Sequence, residues 1–226
     1  MITASHNPKQ DDGYKVYASD GCQIRAPIDK EIASEILTNL QPWTDYGAKL
    51  EQLRKIHTTD PCLGLSRPEI TGRMLDNYYE AIRESGLKTG QAKIPSSPST
   101  SIDPPSFAYT AKHGVRYPFA KRVFEVFDLS PFQSVPPQQE PDPTFPTVPF
   151  PNPEEKGALD IAKAFATENN CDIVLANDPD ADRLAVAEKD RTTGHWTVFT
   201  GDQIGTMLGY WIWEKIGKTC DKVRAT

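Results

Sequence analysis

Long apolar runs, basic excess and dense cysteine are what this chain of 226 residues lacks. No stretch approaches the ~20 consecutive apolar residues of a membrane span. Lysine and arginine number 25 against 31 aspartates and glutamates, so the net charge is −6 and there is no basic footprint for nucleic acid. The acidic residues are spread along the chain, so steering of an anionic small molecule needs local positive charge. Cys22, Cys62, Cys171 and Cys220 have neither metal-ligand spacing nor a disulfide pattern, and read as reduced thiols. No Asn-x-Ser/Thr acceptor occurs, and residues 1 to 20 are polar with Asp11, Asp12 and Asp20, unlike a cleavable leader. Together these predict a cytoplasmic protein with no nucleic-acid and no membrane partner.

What is present alternates between helical and extended patterns. Ile28, Ile32, Ala33, Ile36, Leu37 and Leu40 predict a helix over 28–40, bounded by Pro27 and Pro42. Ile70, Met74, Leu75, Tyr78 and Ile82 predict a second, ending near Gly86. Residues 92 to 105 are rich in serine and proline and read as a linker. A strand over 107–110 and a helix through Phe119, Val123 and Phe127 follow. Nine of the 20 prolines then fall between Pro131 and Pro153, which forbids regular helix and predicts an extended crossing loop. A helix over 154–169, strands over 172–177, 184–188 and 195–199, and a last helix capped by Thr200 and Gln203 complete the pattern. The fold class is α/β, with mixed, largely parallel sheets flanked by helices. Trp211 and Trp213 read as core or interface, and His57, His113 and His195 as structural or surface residues.

Chemistry concentrates at Asp178-Pro179-Asp180-Ala181-Asp182-Arg183, directly after the apolar run Ile173 to Ala176. Three carboxylates at alternate positions in a turn at a strand end aim several oxygens at one point. They repel one another unless a cation sits among them, and hard divalent ions, Mg²⁺ above all, take oxygen ligands and keep positions open for a phosphate. Arg183 supplies a fork suited to such a phosphate. An EF-hand would need glycine at position six and glutamate at position twelve, where Arg183 and Lys189 stand. A phosphatase of the haloacid-dehalogenase type, with Asp178 as nucleophile, stays open on this motif alone.

The second motif lies near the start: Thr3-Ala4-Ser5-His6-Asn7-Pro8, then Asp11-Asp12-Gly13-Tyr14-Lys15. Small residues, asparagine and proline favour an exposed turn, in which Ser5 is accessible and His6 can hydrogen-bond a phosphate. A serine carrying a phosphoryl group needs a cation, which the acidic turn would supply. Lys15 is a candidate proton acceptor if its pKa is lowered.

Taken together, these two motifs resemble the α-D-phosphohexomutases: residues 3 to 8 look like that family's phosphoserine loop and residues 178 to 183 like its magnesium loop. The runs from Pro141 to Val148 and from Pro151 to Glu155 are similar to the eukaryotic phosphoglucomutase-2 and phosphopentomutase group. The resemblance implies a phosphosugar mutase that moves a phosphoryl group between the 1- and 5- or 6-positions of a pentose or hexose phosphate. A sugar bisphosphate would be its intermediate and activator, and the protein would be a monomer. A sister protein that makes glucose 1,6-bisphosphate lacks a proline at the place of Pro8, which favours the mutase. By the resemblance, Ser5 is the phosphoserine, His6 touches the phosphoryl group and Lys15 is the general base. Ser5, Asp178, Asp180 and Asp182 hold one Mg²⁺, and Arg183 steadies the phosphate. Asp12, Arg116 and the run 94–105 depart from the family's pattern. Residues 1–66 are expected to be the later part of the first family domain, 67–192 the second, and 193–226 the start of the third. The chain is accordingly expected to be an internal piece, inactive as a mutase by itself.

Overall fold

The computed structural model describes residues 5–11, 13–59, 68–88 and 104–214. The chain divides into two compact units, one of Met1 with Lys15–Glu80, the other of Ile2–Tyr14 with Ala81–Thr226.

The first unit is helical. Its helices are α1 (Ile28–Thr38), α2 (Tyr46–Thr59) and the first part of α3 (Pro68–Lys88). Helix α1 matches the apolar spacing, yet none of its residues is buried; Ile36 and Leu37 are exposed. Helix α2 was not anticipated. Its apolar positions are few, Leu50 and Leu53 are exposed, and a weak 3.6-residue stripe gives periodicity little to detect. Helix α3 runs through Gly86 instead of ending there, because a single glycine costs only ~1 kcal/mol in a helix interior. The linker expected over 92–105 lies almost wholly outside the described residues.

The second unit holds a sheet of five strands in the order β2-β1-β3-β4-β5: β1 (Phe107–Thr110), β2 (Gln133–Ser134), β3 (Ile173–Asn177), β4 (Leu184–Lys189) and β5 (Trp196–Phe199). Strand β1 runs parallel to β2 and β3, while β3–β4 and β4–β5 are antiparallel, so the sheet is mixed. Alternation along β1 and β3 sends Ala108, Val174 and Ala176 to one face, where Leu159, Ala162 and Ala166 of the segment leading into and along α5 (Asp160–Glu168) cover them. Tyr109 and Leu175 go to the other face, with Ala120 of α4 (Tyr117–Val126) and Phe132. Helix layers on both faces bury the strands that end at the acidic turn.

Helix α5 starts at Asp160, not at 154. Pro153 precedes a chain of turns, and Gly157 takes a left-handed φ of 84° that no helix accommodates. The proline-rich run forms no α-helix, but it is not extended throughout: besides β2 and a short 3-10 turn at Pro136–Gln138 it folds into turns closed by the Phe145 N–H on the Asp142 carbonyl and the Val148 N–H on the Phe145 carbonyl, with Phe145 at a left-handed φ of 46°. Helix α6 (Gly201–Ile212) opens with the anticipated capping box: Thr200 accepts from the Gln203 backbone, and the Gln203 side chain accepts from the Thr200 backbone. Trp211 and Trp213 are 41% and 48% exposed and do not enter the core among the described residues.

Candidate metal and phosphoryl site

Strand β3 ends at Asn177, and the next residues fold into a turn closed by the Ala181 N–H donating to the Asp178 carbonyl at 3.1 Å. Ala181 sits at φ 65°, a left-handed conformation that costs a non-glycine residue about a kilocalorie or more. That cost is carried by surrounding contacts. The Arg183 N–H donates to Asp178 Oδ1 at 2.9 Å, and Asn177 Nδ2 donates to the Arg183 carbonyl at 2.6 Å. The buried Tyr109 hydroxyl donates to Asn177 Oδ1 at 2.9 Å, tying the turn to the neighbouring strand. Opposite, the Val115 N–H donates to the Pro179 carbonyl at 3.1 Å. A Cβ added to Gly114 would stand 2.4 Å from Pro179 Cα, so only glycine lets the two backbones meet.

Asp178, Asp180 and Asp182 each present a carboxylate oxygen within 4.8 Å of the others. Asp178 is fully buried, Asp180 half-buried and Asp182 exposed, so the group opens from protein interior to solvent. Burial pushes Asp178 up to about 6; the carboxylates of Asp180 and Asp182 push the same way, against the pull of the Arg183 N–H.

Ser5 lies at this group. Its Oγ is 3.1 Å from Asp178 Oδ2, 3.0 Å from Asp180 Oδ1 and 3.1 Å from His6 Nδ1. Ser5, like Ala181, has a left-handed φ, at 55°. A hydroxyl owns one hydrogen, so it can donate to only one of the two carboxylates at a time. The other oxygen–oxygen approach is repulsive, which is the condition a shared cation relieves. The donor set of three carboxylates and a hydroxyl, open on one side, suits a hard divalent ion such as Mg²⁺.

The remaining anticipated residues are placed as follows. His6 is beside Ser5. Arg183 holds Asp178 with its backbone, while its guanidinium is 3.7 Å from Glu154, a largely exposed pair of little energetic weight. Lys15 opens the other compact unit. His113 is buried, with Nε2 2.8 Å from Thr147 Oγ1 and its backbone N–H on the Gln138 carbonyl, and so serves the packing of this unit. Asn177, Tyr109 and Gly114 escaped the reading of the sequence. The only hint was a polar residue closing an apolar strand and a His-Gly pair after another.

Residues 76–194, just over half the chain, match the family model for phosphoglucomutase/phosphomannomutase, alpha/beta/alpha domain II. The chain belongs to that family. Residues 1–42 match the model of its alpha/beta/alpha domain I. A phosphopentomutase from Homo sapiens is 41% identical over 215 residues, 94% of this chain and 32% of that protein. A phosphoribomutase from Saccharomyces cerevisiae is 41% identical over 226 residues, 98% of this chain and 35% of that one. A glucose 1,6-bisphosphate synthase from Homo sapiens is 38% identical over 216 residues, 95% of this chain and 32% of the other. The chain thus spans about a third of the length of the curated relatives it matches.

Proposed function

We propose that this chain carries the phosphoryl-transfer centre of a phosphosugar mutase acting between the 1- and 5- or 6-positions of a pentose or hexose phosphate. One observation carries the reading. The Ser5 hydroxyl lies within 3.1 Å of Asp178 and 3.0 Å of Asp180. A shared cation and a phosphorylatable serine need that meeting. The family and the names of its relatives support the substrate class. Residues 1–66, 67–192 and 193–226 are read as parts of the family's first, second and third domains, supported by the two domain models. The protein is read as a cytoplasmic monomer that uses a sugar bisphosphate; no helix among the described residues is long and apolar enough to cross a membrane.

Asp178, Asp180, Asp182 and Ser5 would hold one Mg²⁺, which when bound neutralises phosphoryl charge and withdraws electrons from phosphorus. The chain's own residues do the rest. Phosphorylated Ser5 presents phosphorus to a sugar hydroxyl. The sugar oxygen forms its bond to phosphorus as the bond to Ser5 Oγ breaks, and the sugar's proton goes to a general base, the role the family resemblance gives Lys15. His6 donates to a phosphoryl oxygen, and Arg183 steadies the group. The resulting bisphosphate returns its other phosphoryl group to Ser5 by the same step reversed.

Incubating the chain with a ³²P-labelled sugar 1,6-bisphosphate and Mg²⁺ tests this half-reaction. Acid-stable label on Ser5, absent from Ser5→Ala, is expected. Hydroxylamine-labile label on an aspartate would instead favour the phosphatase. Against that alternative, both Asp178 oxygens are already engaged and the side chain is fully buried.

A further inference from the structure

Lys112 is fully buried, and its Nζ has no hydrogen-bond partner among the described residues. An ammonium in that condition is costly, and a protein keeps one only where an opposite charge repays it. Its backbone is pinned. Its N–H donates to Thr110 Oγ1 at 3.1 Å, and Thr110 donates in turn to the buried Gln138 side chain at 2.8 Å. Gln138 also accepts from the His113 N–H at 3.1 Å through its carbonyl. Lys112 and His113 both take left-handed φ angles, 48° and 61°.

Strand register places this lysine. Thr110 pairs with Ala176 in the parallel β1–β3 ladder, so Lys112 and Asp178 each stand two residues beyond one registered pair. Gly114 and Val115 then pack on Pro179. We infer that Lys112 is the resident counter-charge of the acidic turn, a positioning residue that keeps Asp178 and its neighbours in place without a cation and weakens the hold on one that enters. The inference rests on the cation reading of Asp178, Asp180 and Asp182.

The charge of Asp178 is felt at Lys112. Burial lowers Lys112 to about 8 and the Asp178 charge opposes that fall, so the group stays mostly protonated at pH 7. A fixed ammonium and an incoming divalent ion repel, so the lysine would keep the ion exchangeable.

Two measurements on the chain test this. Mn²⁺ is titrated at pH 7 and followed by electron paramagnetic resonance. Lys112→Met should bind it about tenfold more tightly than wild type; unchanged or weaker binding overturns the inference. Thermal melts in chelator then compare Lys112→Met in the wild-type and Asp178→Asn backgrounds. The substitution should be better tolerated, by about 3 °C or more, where residue 178 is uncharged. An equal change in both backgrounds overturns the inference. If Lys112→Met does not fold, its rescue by Asp178→Asn supports the pairing and a failure to rescue refutes it. If wild type binds no Mn²⁺, the cation reading is what fails, and the melts alone decide the counter-charge.

Discussion

Two carboxylate oxygens face the single hydrogen of Ser5, with His6 Nδ1 beside them, and that imbalance is the chemistry of the site at its smallest scale. Asp180→Ala removes one of the two carboxylates facing Ser5 and one of three proposed ligands. Mn²⁺ affinity should fall at least ~100-fold, measured by the same resonance titration. Protons compete with the ion. Burial raises Asp178 to about 6, so the proton must leave before the metal enters. Affinity should therefore be flat above pH ~6 and fall by about tenfold per unit below it. The same shift makes metal-free folding pay for the ionised Asp178 above that pH, a cost relieved as pH falls toward the ordinary aspartate value. Asp178, Asp180, Asp182 and Ser5 were legible in the sequence because alternate carboxylates after a buried strand and a serine in a proline turn are local patterns. Lys112 was not. Nothing local distinguishes a lysine after an apolar strand from a solvated one; its burial is decided by Gln138 and by the registered neighbouring strand.

At the scale of elements, the acidic turn is held from two sides, by Tyr109 and Asn177 on one and by Gly114 and Val115 on the other. Gly114→Ala would drive a methyl into the Pro179 backbone, so the turn must shift. Weaker Mn²⁺ binding together with a lower melting temperature is the expected result; loss of stability alone would mean that the turn tolerates the shift. Tyr109→Phe leaves Asn177 Oδ1 without this donor and should cost ~1–3 kcal/mol by denaturant unfolding. The strands and the capping box could be read from the chain, since β-branched runs and Thr-x-x-Gln act locally. Helix α2 and the late start of α5 could not, the first because its apolar stripe is weak, the second because Gly157 and Pro153 outweigh the helical spacing after them.

At the scale of the whole molecule, the residues that meet at the site come from far apart in the chain: Ser5 from near its start, Tyr109 and Gly114 from around β1, and the acidic turn after β3. The fold class, α/β with a mixed sheet, followed from alternation, but which pairs run antiparallel, β3–β4 and β4–β5, and in what register, no local pattern declares. The pairing of two distant motifs implies that ligand binding stabilises the unit containing them. A divalent ion at a hundred times its dissociation constant should add about 2.7 kcal/mol and raise the melting temperature by roughly 5–10 °C. The most direct test of the shared centre is Mn²⁺ titration of the chain before and after phosphorylation of Ser5. One tight site that tightens further when Ser5 carries phosphate, and is abolished by Asp180→Ala, is the predicted result; identical, weak binding in all three proteins would contradict it.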